Sequence, residues 1–226
     1  MVSILMSNFQ TGFIYIKDNL SDLIYKDTKL VVIPWGFAVE LESKNVMDFF
    51  DDKKYNKYIE PLINLGLKDE NIKILDCYKD SKEYMINSIN DSSILILPGG
   101  NPEMFYNKVI QTGILDCLKI YKKTIIGVSA GAELQLKKYF ITKKNNYYKK
   151  FAWYDGFGII DDDFYFDVHS INRGRYLSSL KNKSKQTKMD IYCLFDSGVI
   201  VYDRKTKELN TYGEVLVFNG NKNGCL

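Results

Sequence analysis

Gly127-Val128-Ser129-Ala130-Gly131 sets one serine between two glycines, the spacing of a sharp strand-to-helix turn that holds a nucleophile clear of its sheet. Side chains at either glycine would collide across such a turn. A second glycine turn, Pro98-Gly99-Gly100-Asn101, follows the apolar run Ile94 to Leu97. The only histidine of the chain, His169, comes after a third strand-like run. A serine, a glycine turn with free amides and a histidine, each at a strand end, are the parts an acyl-transfer site needs. In that reading Ser129 attacks, His169 takes its proton and returns it to the leaving group, and a developing oxyanion needs backbone N–H donors. The amide after the nucleophile, Ala130, is one such donor. Ser129 as an ordinary turn serine and His169 as a core histidine are the competing structural readings.

The hexapeptide Gly127-Val128-Ser129-Ala130-Gly131-Ala132, preceded by Pro98-Gly99-Gly100-Asn101-Pro102 and followed by Asp167-Val168-His169, resembles the dipeptidase E and cyanophycinase family of serine peptidases. The likeness is strongest from Ile94 to Tyr176. It implies the three-layer α/β fold of class I glutamine amidotransferase domains, flavodoxin-like in its mostly parallel central sheet flanked by helices, with serine where those domains carry cysteine. It also implies Gly100 and Ala130 as the oxyanion hole, Asn101 at the substrate rim, and cleavage of a short peptide or isopeptide with an acidic residue near the bond. Arg173 and Arg175 follow the histidine at the spacing seen in cyanophycinases and are candidates to hold a substrate carboxylate, because guanidinium forks match that group. The third arginine of that pattern is replaced by Ser178.

The resemblance breaks at the acid of the triad. The position fifteen residues after the serine is Lys144, and the cyanophycinase-like alternative at plus eighteen is Tyr147. Thr142 to Lys150 contains no carboxylate at all. The third member is therefore expected from Glu133, Asp163 or Asp167, or is absent, and the sequence does not choose. An absent acid would favour a second class of protein, a non-catalytic binder of a small ligand or peptide. A glutamine amidotransferase subunit is disfavoured by the serine.

Composition bounds the rest. The chain has 226 residues, 46% hydrophobic and 26% charged, which fits a single α/β domain spanning 1–226 with a sizeable core. A net charge of +3 and no dense basic run argue against nucleic acid, and Lys149-Lys150 and Lys181 to Lys188 read as solvated surface. Cys77, Cys117, Cys193 and Cys225 show no metal-ligand spacing, and a single histidine argues against a zinc site. No metal or organic cofactor is expected. No basic leader and no membrane-length apolar run are seen, so a cytoplasmic protein without membrane contact is expected. The oligomeric state is left open, a homodimer included.

The positioning elements follow from periodicity and turn chemistry. Strands are expected at Val2 to Met6, Lys29 to Ile33, Asn71 to Tyr78, Ile94 to Leu97, Thr124 to Ile126 and Phe164 to His169, with a last one at Glu214 to Phe218. Helices are expected at Leu20 to Tyr25, in two pieces over Asn45 to Leu65 with Pro61 opening the second, at Ser81 to Asn90, Pro102 to Val109 and Ile114 to Tyr121, and after Gly131. The Pro34-Trp35-Gly36 loop is expected to line the site's rim. Thr142 to Asp155 reads as a loop, and Asp190 to Leu194 with Gly198 to Tyr202 as a hairpin-like pair.

Overall fold

The structure is a computed structural model that describes residues 1–38, 44–143, 148–161 and 164–220. Its frame is a seven-stranded sheet. Five strands are parallel neighbours: β1 (Val2–Met6), β2 (Leu30–Val32), β3 (Ile72–Ile74), β4 (Ile94–Leu97) and β5 (Thr124–Val128), in the spatial order β1-β5-β4-β2-β3. Every residue of β2, β4 and β5 is buried, as expected of parallel strands covered on both faces, which is why they read as unbroken apolar runs. The chain leaves β1, crosses to β2 and returns later to insert β5 beside β1. That reversal opens a crevice at the carboxyl ends of the strands, where open α/β sheets place their ligands.

Two antiparallel strands extend the sheet beyond β1. They are β10 (Val199–Asp203), paired with β1, and β11 (Leu209–Tyr212), paired with β10. A separate three-stranded sheet contains β8 (Phe164–Asp167), β9 (Asp190–Leu194) and β12 (Val215–Phe218) in the order β12-β9-β8, and β6 (Lys138–Ile141) pairs with β7 (Ala152–Asp155). The helices are α1 (Phe9–Ser21), α2 (Asp52–Tyr58), α3 (Glu60–Ile63), α4 (Lys82–Asp91), α5 (Pro102–Thr112), α6 (Leu115–Lys119), α7 (Ala130–Glu133) and α8 (Gly174–Thr187). Short 3-10 turns at Trp35–Phe37, Val46–Asp48 and Asp69–Asn71 complete the described elements. Among the described residues no helix is long and apolar enough to cross a membrane.

The expected boundaries and the observed ones differ where tertiary packing overrides local pattern. The first helix lies over Phe9–Ser21 rather than Leu20 to Tyr25: Asn8 caps it, and Phe9, Gly12, Ile16 and Leu20 form its buried stripe. Gly12 hides that helix from a propensity reading, yet a side chain there would stand 2.9 Å from Val199 Cγ2, so the glycine allows α1 to lie close against β10. The end of the expected Thr142-to-Asp155 loop is the strand β7, held by the stacked Tyr139 and Tyr154 rings 5.5 Å apart. The expected hairpin of Asp190 to Leu194 with Gly198 to Tyr202 is not formed. Instead β9 pairs with β8 and β12, whereas β10 pairs with β1 and β11. The last strand joins the small sheet, not the central one. α8 went unread because its face is polar and lysine-rich, burying only Leu180 and Ser184. Pro61 does fall in the first turn of its helix, and Gly66 takes a left-handed φ of 107° just beyond that helix.

Tyr121 ties the far edge of this frame together. Its buried hydroxyl lies 3.0 Å from Ser92 Oγ, and its carbonyl accepts a 2.8 Å bond from the Arg204 guanidinium just after β10. Burial pushes the Tyr121 phenol up to about 12, against smaller opposing effects of Ser92 and Arg204. Burial likewise raises Tyr139 and Tyr176. A raised phenol costs nothing while both folded and unfolded chains hold the proton; above the ordinary value near 10 only the unfolded chain ionises. These phenols should therefore leave stability unchanged up to about pH 9.5 and make it fall between roughly pH 10 and 12. Urea midpoints across that range check this, and Tyr121→Phe should flatten part of the slope.

Candidate active site

The elbow is built from backbone collisions avoided. β5 ends at Val128, and Ser129 takes φ 50°, ψ −117°, a conformation that L-residues rarely adopt and that persists only where neighbours enforce it. Its N–H donates to Met6 O at the end of β1 (2.8 Å), and its carbonyl accepts from Ala132 N (2.9 Å) and Glu133 N (3.0 Å). A Cβ on Gly131 would sit 1.9 Å from Leu97 O, and one on Gly127 would sit 2.4 Å from Gly131 O. Both glycines are thus fixed by backbone, which no rotamer change can relieve.

The Gly99-Gly100 turn leans directly on this elbow. The Cβ position of Gly99 lies 3.3 Å from Ser129 Cβ and 3.8 Å from its Oγ. Gly100 has φ 121°, and a Cβ there would lie 2.2 Å from Gly36 O. The same Gly36 carbonyl accepts the Asn101 N–H at 2.7 Å. The Trp35–Phe37 turn after β2 therefore backs the glycine turn, as expected for a rim loop. Asn101 Oδ1 accepts the Met104 N–H (3.0 Å), so that oxygen caps α5. Gly99 borders Ser129 across the turn and Ala130 follows it along the chain, with Gly100 next to Gly99 and packed on Gly36.

His169 also has a left-handed backbone, φ 51°. β8 stops at Asp167, and the chain then turns so that His169 Nε2 lies 3.0 Å from Ser129 Oγ. The ring's other nitrogen, Nδ1, lies 3.2 Å from Asp196 Oδ1 and 3.4 Å from Ser7 Oγ. Ser7, fully buried at the end of β1, also accepts the His169 N–H at 2.7 Å. The Asp196 loop between β9 and β10 is pinned from three sides: Thr11 Oγ1 donates to Asp196 O (2.6 Å), Ser7 N to Gly198 O (3.1 Å), and Phe195 N to Glu214 O (3.1 Å). The Asp196 side chain itself is 71% exposed.

The acid on the histidine is therefore Asp196, and the candidates Glu133 and Asp167 do not bond His169. Asp167 is fully buried and accepts from Thr142 Oγ1 (3.1 Å), Ser170 Oγ (2.5 Å) and the Tyr176 hydroxyl. Two residues apart on a continuing strand, Asp167 and His169 would share a face; the positive φ at His169 turns the ring away. Glu133 is buried on α7, and its charge adds to the burial that raises the Tyr139 phenol. Asp163 lies outside the described residues, as do Lys144, Tyr147 and Cys225. Asp196 and Ser7 were both missed from sequence. Asp196 sits in an Asp-Ser-Gly turn that reads as connection, and only the crossing of the chain from β9 to β10 brings it to the site. Arg173 precedes the first residue of α8 and Arg175 lies in its first turn; both line a cavity of about 580 Å³ with Ile171, two residues past His169. Among the described residues no group of three or more His, Cys, Asp or Glu is placed to hold a metal.

No family model and no curated protein matches the chain. Solved structures do. A "Putative Peptidase E Protein" from Listeria monocytogenes EGD-e superposes with a TM-score of 0.62 at 18% identity, covering 96% of this chain and 98% of the other. A peptidase from an acI-B1 Actinobacterium gives 0.66 at 16% identity, covering 97% and 91%. At such identities the likeness establishes the architecture: this chain has a peptidase E-like α/β fold.

The elbow's packing gives a direct stability test. Gly100→Ala combines a positive φ with a backbone collision, so it should lower stability by at least about 1–3 kcal/mol. Ala at the exposed Gly174, where a Cβ meets nothing within 4 Å, should be neutral or mildly stabilising. Chemical denaturation of the two variants checks the contrast.

Proposed function

We propose that the chain is a serine-dependent hydrolase, a peptidase that cleaves a short peptide or isopeptide carrying an acidic residue near the bond. One observation carries the reading: a single imidazole bridges Ser129 Oγ at 3.0 Å and the Asp196 carboxylate at 3.2 Å through its two nitrogens. The sequence reason for preferring a non-catalytic binder was the lack of an acid, and Asp196 supplies one. The peptidase E-like fold supports the same reading.

In the proposed reaction Asp196 accepts the Nδ1–H bond, which selects the tautomer with a bare Nε2. Ser7 adds a second acceptor beside Nδ1 and holds the His169 backbone in its left-handed turn. His169 Nε2 takes the Ser129 proton as Oγ attacks the carbonyl carbon. The N–H groups of Gly100 and Ala130 meet the developing oxyanion. Collapse of that intermediate breaks the C–N bond, and Nε2–H protonates the leaving amine. A water then attacks the Ser129 ester with His169 again as base, releasing the acid and restoring the hydroxyl. Arg173 and Arg175 hold the substrate's carboxylate in this scheme.

Fluorophosphonate labelling followed by mass spectrometry should place one adduct on Ser129, and Ser129→Ala should abolish it. Asp196→Asn should keep the fold and slow labelling and turnover by roughly 10²–10⁴-fold, chiefly in kcat, since the amide no longer stabilises the imidazolium. Labelling that persists in Ser129→Ala, or an Asp196→Asn variant with undiminished rate, overturns the assignment.

A further inference from the structure

The cavity lined by Arg173 and Arg175 is also lined by Lys143, Lys149 and Lys150, and among the described residues no carboxylate lines it. None of these five cations makes an ion pair among the described residues. A second cavity of about 570 Å³ adjoins the first: both include Arg175 and Ser179, and the second continues along α8 past Asn182 and Lys183 to Gln186. The fourteen residues of α8 contain no Asp or Glu. Unpaired like charges gathered in a concavity raise its potential, and an anionic occupant relieves that repulsion. The span matters too. Residues 174 to 186 of a helix cover roughly 18 Å, so the trough suits an extended chain better than one small anion.

Its walls discriminate between polyanions. Single-stranded nucleic acid is held largely by bases stacking on open aromatic faces. Among the described residues two aromatic rings line the trough: Phe151 stacks on Phe140 at 5.1 Å with Lys183 Nζ 4.7 Å from its centroid, and Tyr176 is anchored through its hydroxyl to buried Asp167. What remains is a row of separated, exposed cations on flexible stems, which matches carboxylates spaced along a peptide.

We infer that this trough is an extended subsite for an oligo-acidic peptide chain, in which Lys149 and Lys150 bind carboxylates remote from the bond held at Ser129. The inference rests on the proposed hydrolase only for where the bound chain begins. Binding is read without turnover, so the two can fail separately. The full-length Ser129→Ala variant is titrated with hexaglutamate by calorimetry at 20 mM and 300 mM NaCl. Binding should be detectable at low salt and weaken at least tenfold at high salt. Adding Lys149→Gln and Lys150→Gln should weaken it at least tenfold at 20 mM NaCl. Adding Lys17→Gln and Lys205→Gln, an equal charge change on exposed lysines elsewhere, should change it less than twofold. No binding, equal losses in the two double-lysine backgrounds, or tighter binding of a six-nucleotide thymidine strand than of hexaglutamate would overturn the subsite. Circular dichroism melts of each variant verify that the fold is intact.

Discussion

Backbone pressed against backbone at the strand ends is the constraint on which the rest of the site depends. Leu97 O fills the space a side chain on Gly131 would need, and Gly36 O fills the space at Gly100. These contacts join the ends of β2, β4 and β5 without an intervening side chain, so their geometry is set by main-chain dimensions. A packed side chain can shift between rotamers, whereas a carbonyl fixed by a parallel ladder cannot. The strained φ of Ser129 is tolerable because the Met6, Ala132 and Glu133 bonds hold it from both sides. His169 carries a matching strain, held by Ser7. Two residues of unfavourable backbone conformation thus meet through side-chain atoms 3.0 Å apart, each held by Met6 or Ser7 at the end of β1.

Much of the central frame was legible in the residues because it rests on local rules. The runs Ile94 to Leu97 and Thr124 to Ile126 read as buried strands from apolar continuity alone, and Ser81 and Pro61 marked helix starts through their capping and first-turn chemistry. Ser129 and His169 stood out by type and setting. The parts that stayed hidden depend on pairing over long separations. Nothing local distinguishes Asp196 from any turn aspartate, since its place beside His169 depends on Thr11, Ser7 and Glu214 gathering its loop from three distant elements. Asp167 misled for the opposite reason. Its nearness to His169 in sequence suggested a shared face, and one positive φ removed it.

The lysine-rich stretch after Arg175 illustrates a related gap. Read as sequence it is solvated surface, and Lys181, Lys185 and Lys188 are indeed exposed. Folding makes α8 one bank of a trough whose other bank includes Lys143, Lys149 and Lys150, so charges that looked dispersed become neighbours. Net charge, only +3 for the whole chain, conceals such local asymmetry.

The parts of the proposed relay come from different structural modules. Ser129 and the glycine turn belong to the central sheet, completed by residue 128 in its parallel part, whereas His169 follows β8 of the small sheet and Asp196 waits for the crossing from β9 to β10. The Ser7–His169 contact joins residues 162 positions apart. During synthesis the serine therefore emerges well before its base and acid. Under the proposed chemistry a nascent or half-folded chain has an ordinary, unactivated alcohol at its elbow. Competence then arrives as a late event of folding, when the C-terminal third seats against β1, and the order of synthesis protects the unfinished chain from its own chemistry.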